Sequence, residues 1–408
     1  MIYKGTLLGV IFIVQAARFS IETILPVMRQ DNTFPVLALL SLSSLVAIGF
    51  IPVITKNLKG LQEKRFMLAG LAFSGAGVFI FGFSDYLGEV AFFVLLGFAA
   101  VIANIGSVGA FVPALVLFLK RNPEKAVSSF PVVEFFWDFG HSCGLVFPLF
   151  ISDSKYNIYY FLPLTVVISV FVLVSFAKIT QPPKTADSYE HYTLSHLLKS
   201  KAVLIDLAAI AYVLAGCKSI DPLVTSILED LDTDTSLQSY FLISSSVASF
   251  VVSGILVFTL EYLDRKLLML IGTILTTLGL LVVGPVTATF SQNQLFLRIG
   301  IIVLDIGMAI GTGTGFPNLY QSVKYSFHIT PDGRVLELIS GLYVFSIQLG
   351  MILGPSSTMW LMLALEYYQC FIILFAAGVV ISVLYFFHYR QVLKLPKEED
   401  LETTKLIE

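Results

Sequence analysis

Charge is what this chain lacks most. Only 13% of its 408 residues are Asp, Glu, Lys or Arg, against about 25% in ordinary soluble domains. That shortfall excludes a soluble globular protein and a disordered chain, both of which need a solvated polar surface. A basic excess is also missing. The net charge is −3, so no positive surface is available for nucleic acid. Cysteine is scarce: Cys143, Cys217 and Cys370 lie scattered in apolar runs. An odd, dispersed set builds neither a disulfide framework nor a metal cluster. No Asn-x-Ser/Thr acceptor occurs, so N-glycosylation is not expected. No segment offers a catalytic triad or metal-ligand spacing, so the chain reads as a non-enzyme without metal or cofactor.

What is present is apolar sequence. Hydrophobic residues make up 56% of the chain, and the mean hydropathy is +0.86. A membrane span needs about 20 mostly apolar residues. Twelve such runs are legible, at 5–28, 34–55, 66–84, 90–119, 126–150, 158–178, 201–228, 236–259, 266–288, 295–321, 335–364 and 366–391. Residues 5–17 could pass for a signal-peptide core, but no small-residue cleavage site follows and apolar sequence resumes at once. The longest internal interruption, 179–200, holds Pro182-Pro183 and mixed charges. It divides the chain into an N-terminal six-helix bundle (1–178), a central cytosolic loop (179–200), a C-terminal six-helix bundle (201–391) and a cytosolic tail (392–408). The predicted fold is an all-α membrane protein of twelve transmembrane helices in two six-helix bundles. With both termini in the cytosol, twenty Lys and Arg fall on the cytosolic side and two, Arg29 and Lys155, on the other. Such a bias sets orientation and supports the span count. One chain encloses the whole path, so a monomer in the lipid bilayer is expected.

The charges inside the spans carry the functional reading. An ionised group at mid-bilayer costs about 2.5–3.5 kcal/mol even on the lenient insertion scale. The spans contain Arg18, Glu22, Glu134, Asp138, Asp206, Lys218, Asp221, Arg298, Asp305 and Glu337. Asp206 and Glu337 are expected to reach water at cytosolic ends. The other eight, facing lipid unpaired, would cost about 20–28 kcal/mol, more than the stability of a typical fold. They must pair or line a wet cavity. Five acids against three bases suit a cavity that carries protons, cations or both.

Spacing pairs some of them. Arg18 and Glu22 stand at i,i+4, and Lys218 and Asp221 at i,i+3, so each pair shares a helix face. Two readings are open for each: a pair that gates or competes with substrate, and a static pair that neutralises two charges. The first and seventh spans each carry a base, an acid and a proline (Pro26, Pro222), a parallel consistent with related halves. In the fifth span Glu134, Asp138 and His141 share a face, as a proton relay or amine cradle or as a polar seam between helices. Arg298 is expected to snorkel to the far surface, while Asp305 is open to either reading. Gly311-Thr312-Gly313-Thr314-Gly315 has the composition of a nucleotide loop but lies in an apolar span without a phosphate-holding lysine. It reads as a close helix contact.

Twelve spans arranged six plus six around a central loop resemble the major facilitator superfamily. Gly350-Met351-Ile352-Leu353-Gly354-Pro355 matches the Gly-x-x-x-Gly-Pro element of its proton-driven antiporters. Gly140 and Gly144 repeat the spacing in the fifth span, with Leu145 where the proline is usual. Asp221-Pro222 resembles the acid-proline of the vesicular amine transporters. Glu134, eleven residues after Pro123, resembles the fifth-span glutamate of their polyamine branch. Ser340-Gly341-Leu342 leading into Gly350 has matching spacing too. The second span has no charge, and Thr312 and Val344 stand where the monoamine and acetylcholine members have acids. This argues against monoamine transport and leaves polyamine transport open.

The resemblance implies a proton-coupled antiporter that moves an organic cation across an intracellular vesicle membrane by alternating access. Asp221, Glu134, Asp138, Glu22, Lys218 and Asp305 are its candidate substrate-binding or proton-coupling residues. A carboxyl withdrawn from water holds its proton more tightly, which makes proton-for-cation exchange feasible. Glu402, Leu406 and Ile407 in the tail resemble an acidic dileucine sorting signal, read by a cytosolic adaptor, and favour a vesicle, endosome or lysosome membrane. The rival readings are a carrier of another small solute or drug, and a non-transporting receptor or scaffold on a transporter frame.

Overall fold

The computed structural model describes the backbone of residues 2–28, 33–58, 62–83, 89–121, 125–149, 157–179, 192–221, 238–287, 294–331 and 333–392. Side chains at 2, 22–28, 33–37, 40, 89–90, 147–149, 157–160, 238–242 and 245 fall outside that description. The described residues form twelve long helices. In the first half these are α1 (Ile2–Met28), α2 (Thr33–Asn57), α3 (Gln62–Phe83), α4 (Glu89–Lys120), α5 (Ala126–Leu149) and α6 (Asn157–Lys178). The second half has α7 (Lys201–Lys218), α8 (Gln238–Thr259), α9 (Arg265–Leu281), α10 (Gln294–Phe327), α11 (Gly333–Met362) and α12 (Tyr367–Val392). A single helical turn, Leu194–Leu197, precedes α7. Helices suit lipid because they satisfy every backbone polar group within the segment.

The bounds follow the apolar runs within a few residues, with two departures. The sequence places the tenth span's end at 321, but α10 runs on to Phe327. Its last turns leave the apolar pattern yet still pack: Val323 is buried, and Ser322 Oγ donates to Asp206 at 2.5 Å. The seventh run reads as far as 228, whereas α7 ends at Lys218 and Ser219–Asp221 form a turn. The Ser219 hydroxyl caps it by donating to the Gly216 carbonyl at 2.7 Å. Pro222 follows in sequence, and a proline disfavours helix at the preceding residue. Beyond α9 the chain continues as a π-helical turn, Val282–Val286, around Pro285. There Thr287 Oγ1 donates to the Val282 carbonyl at 2.8 Å, in a stretch where proline offers no N–H.

The helices pack as two copies of one arrangement. Helix α3 lies against α4 as α9 lies against α10, α1 against α5 as α7 against α11, and α3 against α6 as α9 against α12. Between the copies, α5 meets α8 and α10, while α11 meets α2 and α4. The repeat is visible atom by atom. A Cβ at Gly140 would strike the Phe12 carbonyl of α1, and one at Gly144 would lie 2.7 Å from the Ala16 carbonyl. On α11, Cβ atoms at Gly350 and Gly354 would strike the Ala211 and Ala215 carbonyls of α7. Glycines four apart thus let α5 and α11 touch the backbones of α1 and α7. These contacts equate 12 with 211 and 16 with 215, so Phe19 corresponds to Lys218 and Glu22 to Asp221. The base–acid–proline parallel read in the sequence therefore aligns only its acids: Arg18 falls opposite Cys217, and the prolines are out of step.

One end of the bundle gathers the start of α1, the ends of α4 and α12 and the starts of α3 and α9. There the Arg121 guanidinium stacks 3.8 Å from the Tyr3 ring centroid, Lys120 meets Glu63 at 2.7 Å, and the Tyr389 hydroxyl reaches Asp264 at 3.3 Å. We call this the N-terminal face.

Candidate functional site

A narrow cavity, with room for about one water molecule, lies where the two halves meet. Helix α5 contributes Glu134, Trp137, Asp138 and His141 to its wall. Those positions fall at i, i+3, i+4 and i+7, which is one face of a helix. Phe19 of α1 closes one side, Leu214 and Lys218 of α7 another, and Met308, Thr312 and Met351 of α10 and α11 the remainder.

The polar groups on this wall are dry and incompletely matched. Glu134 is 1% exposed, Asp138 4% and His141 5%. Glu134 Oε2 accepts from the Tyr343 hydroxyl at 2.9 Å, and Asp138 Oδ2 accepts from Ser253 Oγ. Among the described residues, Glu134 Oε1, Trp137 Nε1 and His141 Nε2 have no hydrogen-bond partner. Each such buried atom costs about 1–3 kcal/mol, and buried polar groups are normally matched. Three of them on one cavity wall would be satisfied by a polar guest.

The opposite wall carries a cation. Lys218 Nζ stands 3.3 Å from Asp221 Oδ2 and 5.1 Å from the centre of the Phe19 ring. Phe19 also lies 4.0 Å, ring to ring, from His141. Asp305 stands behind this wall, where its Oδ1 accepts from Cys217 Sγ at 2.7 Å. Arg18 is buried and donates to Ser44 Oγ at 3.5 Å. The backbone of Glu22 belongs to α1, but its side chain lies outside the described residues, as do Pro222 and the tail residues Glu402, Leu406 and Ile407. Arg298 is exposed. Pro355 lies within α11, one residue after Gly354.

Toward the N-terminal face the cavity is plugged by aromatic rings from both halves. Phe130 of α5 stacks on Phe316 of α10 at 4.8 Å, and Tyr343 of α11 meets Phe130 edge-on at 5.1 Å. Below the plug lies a charged seam. Lys120 of α4 bridges Glu63 of its own half at 2.7 Å and Glu337 of the other half at 2.6 Å. Arg334 pairs with Glu337 at 2.8 Å and donates to the Thr55 carbonyl of α2.

Two expectations are corrected here. Glu337 and Asp206 do not reach water: they are 2% and 0% exposed. Glu337 is enclosed because it sits between the halves at the Lys120 seam. Asp206 is enclosed within the second half. Both of its oxygens lie 2.7 Å from Lys266 Nζ, and it also accepts from Tyr385 at 3.1 Å. His388 completes the cluster, 3.8 Å from Asp206. The charges balance in place, so solvent is not needed. The glycine-rich stretch of α10 is a packing surface, with Gly311 against Val213 and Gly315 against Ile210 of α7.

Sequence reasoning missed Trp137, Tyr343, Ser253 and the Lys120 seam. Trp137 was findable, since it stands three residues after Glu134 on the same face. The others join segments more than 100 residues apart, and no local pattern announces them.

The model of the Major Facilitator Superfamily matches residues 7–329. The mouse (Mus musculus) protein MFS-type transporter SLC18B1 is 24% identical over 316 residues, covering 74% of this chain and 67% of that protein. Among solved structures, the E. coli fucose:proton symporter FucP superposes with a TM-score of 0.65 at 17% identity, over 94% of this chain and 98% of that one. The nucleoside transporter NupG gives 0.64 at 15% identity, over 97% and 100%. With helices paired as two copies around a central cavity, and with the family model spanning most of its length, this chain belongs to the Major Facilitator Superfamily.

Proposed function

We propose that the protein is a proton-coupled antiporter that moves an organic cation, polyamine-like in character, across an intracellular vesicle membrane by alternating access. One observation carries the proposal: Glu134, Asp138 and His141 share a wall of the cavity between the halves, with polar atoms left over for a guest. Two carboxyl groups withdrawn from water can hold an ammonium in one state and protons in the other. Asp221, at the wetter end beside Lys218, would receive the cation first. Asp305 and Glu22 are assigned to the same proton and cation traffic. The close contacts at Gly140, Gly144, Gly350 and Gly354, with Pro355 beside them, are the surfaces about which the halves would rock.

The N-terminal face carries Lys56, Lys64, Arg65, Lys120, Arg121 and Lys125. By the positive-inside rule it faces the cytosol, with both termini on that side. The aromatic plug and the Lys120 seam then shut the cavity from the cytosol. The resemblance of Asp221-Pro222 and Glu134 to vesicular amine transporters supports an amine cargo. The tail motif of Glu402, Leu406 and Ile407 supports adaptor-directed delivery to a vesicle, endosome or lysosome. The protein is read as a monomer.

Uptake by proteoliposomes with an acidic interior tests this, with spermidine, a monoamine and an organic anion supplied in turn. Each unit of pH supplies about 1.4 kcal/mol per proton, or about tenfold accumulation. Spermidine should accumulate and the anion should not. Glu134→Gln and Asp221→Asn should each abolish gradient-driven uptake while the protein still folds. Indifference of every cation to the gradient, or full uptake by both variants, would overturn the proposal.

A further inference from the structure

We infer that Lys218 is the cavity's own resident cation, holding the place of a substrate ammonium, and that a primary or secondary amine enters by displacing it. This rests on the reading of the cavity as an organic-cation site. An ammonium guest needs an aromatic face within about 6 Å and a carboxylate within hydrogen-bonding reach. Lys218 already has both: the Phe19 ring centroid at 5.1 Å and Asp221 at 3.3 Å. Its side chain lines the same cavity as Glu134 and Asp138.

The pair is built to exchange. Asp221 is 35% exposed in its side chain and Lys218 only 10%. A half-wet ion pair is weakly held, so a second ammonium can replace the first without stripping a dry carboxylate. The tethered lysine returns when the guest leaves, and Asp221 is never left without a cation. Phe19 and Lys218 also belong to opposite halves and occupy equivalent places in the two repeats. The ammonium over the ring therefore ties α1 to α7 while no guest is bound, and its displacement loosens that tie. The lysine head offers three N–H donors. A primary ammonium reproduces all three and a secondary one two, whereas a quaternary ammonium has none.

The test is counterflow exchange of spermidine in proteoliposomes at equal pH on both sides. Lys218→Met removes the competitor, so the KM for spermidine should fall about tenfold, equivalent to about 1.4 kcal/mol. Lys218→Arg keeps a cation and should not reproduce the fall in KM expected with Lys218→Met. Should Lys218→Met fail to fold, Lys218→Gln gives the same readout. The wild-type protein supplies an independent arm: n-butylamine, a copy of the lysine head, should inhibit exchange at least about tenfold better than tetramethylammonium. If the wild type exchanges no amine, the cation-site reading itself fails. If it does, then an unchanged or higher KM in the variant, or equal inhibition by the two ammonium probes, overturns this inference alone.

Discussion

The hydroxyl of Tyr343 on α11 donates to Glu134 on α5, 2.9 Å away and across the boundary between the two halves. The same tyrosine packs edge-on against Phe130 and Phe316. One side chain thus touches the carboxylate of the proposed cation site and the aromatic plug that separates it from the N-terminal face. Such a hydrogen bond contributes about 0.5–1.5 kcal/mol to a neutral carboxyl and about 1.5–3 kcal/mol to an ionised one, so the position of the plug is tied to the state of the carboxyl. Tyr343→Phe keeps the ring and removes this bond together with the hydroxyl's longer contact to the Thr312 carbonyl at 3.2 Å. It should lower the melting temperature by about a few degrees and lower gradient-driven uptake about tenfold or more. Wild-type uptake rates in the variant would show that the bond is structural.

The Lys120 seam makes a second prediction. Lys120 serves one glutamate from each half, so the two carboxylates can be separated by mutation. Glu337→Gln leaves Lys120 paired with Glu63 inside the first half and weakens the link between halves, together with the pair that Glu337 makes with Arg334 on its own helix. A cysteine placed at Met351, on the cavity wall, should then react faster with a maleimide applied from the N-terminal face. Lys120→Met should do the same and also cost stability, because it leaves Glu63 and Glu337 without their shared cation. Unchanged labelling in both variants would show that the seam does not hold the halves closed.

The Asp206 cluster leads to a different kind of outcome. Lys266 is buried against both oxygens of Asp206, and removing one partner of a buried pair costs about 3–5 kcal/mol. Lys266→Met should therefore lower the melting temperature and the yield of folded protein. Replacing both residues, as Lys266→Met with Asp206→Leu, should recover much of the loss. The cluster stays within the second half, so the recovered double variant should keep the wild-type KM for the transported cation. A changed KM with restored stability would mean that the cluster takes part in transport.

The fold was open to inspection in the sequence because lipid imposes a crude rule on it. Runs of about 20 apolar residues must cross, and breaks such as Asn57–Arg65 and 179–200 must not. Helix periodicity then placed Glu134, Asp138 and His141 on one face, and the i,i+3 spacing of Lys218 and Asp221 corresponds to an ion pair in the structure. The failures share one cause. Asp206 and Glu337 looked solvated because position along a helix predicts depth in the bilayer, whereas the partners that bury them come from other helices. Lys266 is 60 residues from Asp206, and Lys120 is 217 residues from Glu337.

What the sequence alone determined is the membrane-spanning architecture and the presence of more charge inside it than lipid tolerates, since hydropathy and helical spacing are local properties. Which charges meet was decided only by the tertiary structure. Contacts such as Tyr343 with Glu134, Lys218 with Phe19 and Ser253 with Asp138 form because glycine-bearing helices approach closely within each half and the two halves then close on each other. That geometry arises from shape complementarity between distant segments, which no single segment records.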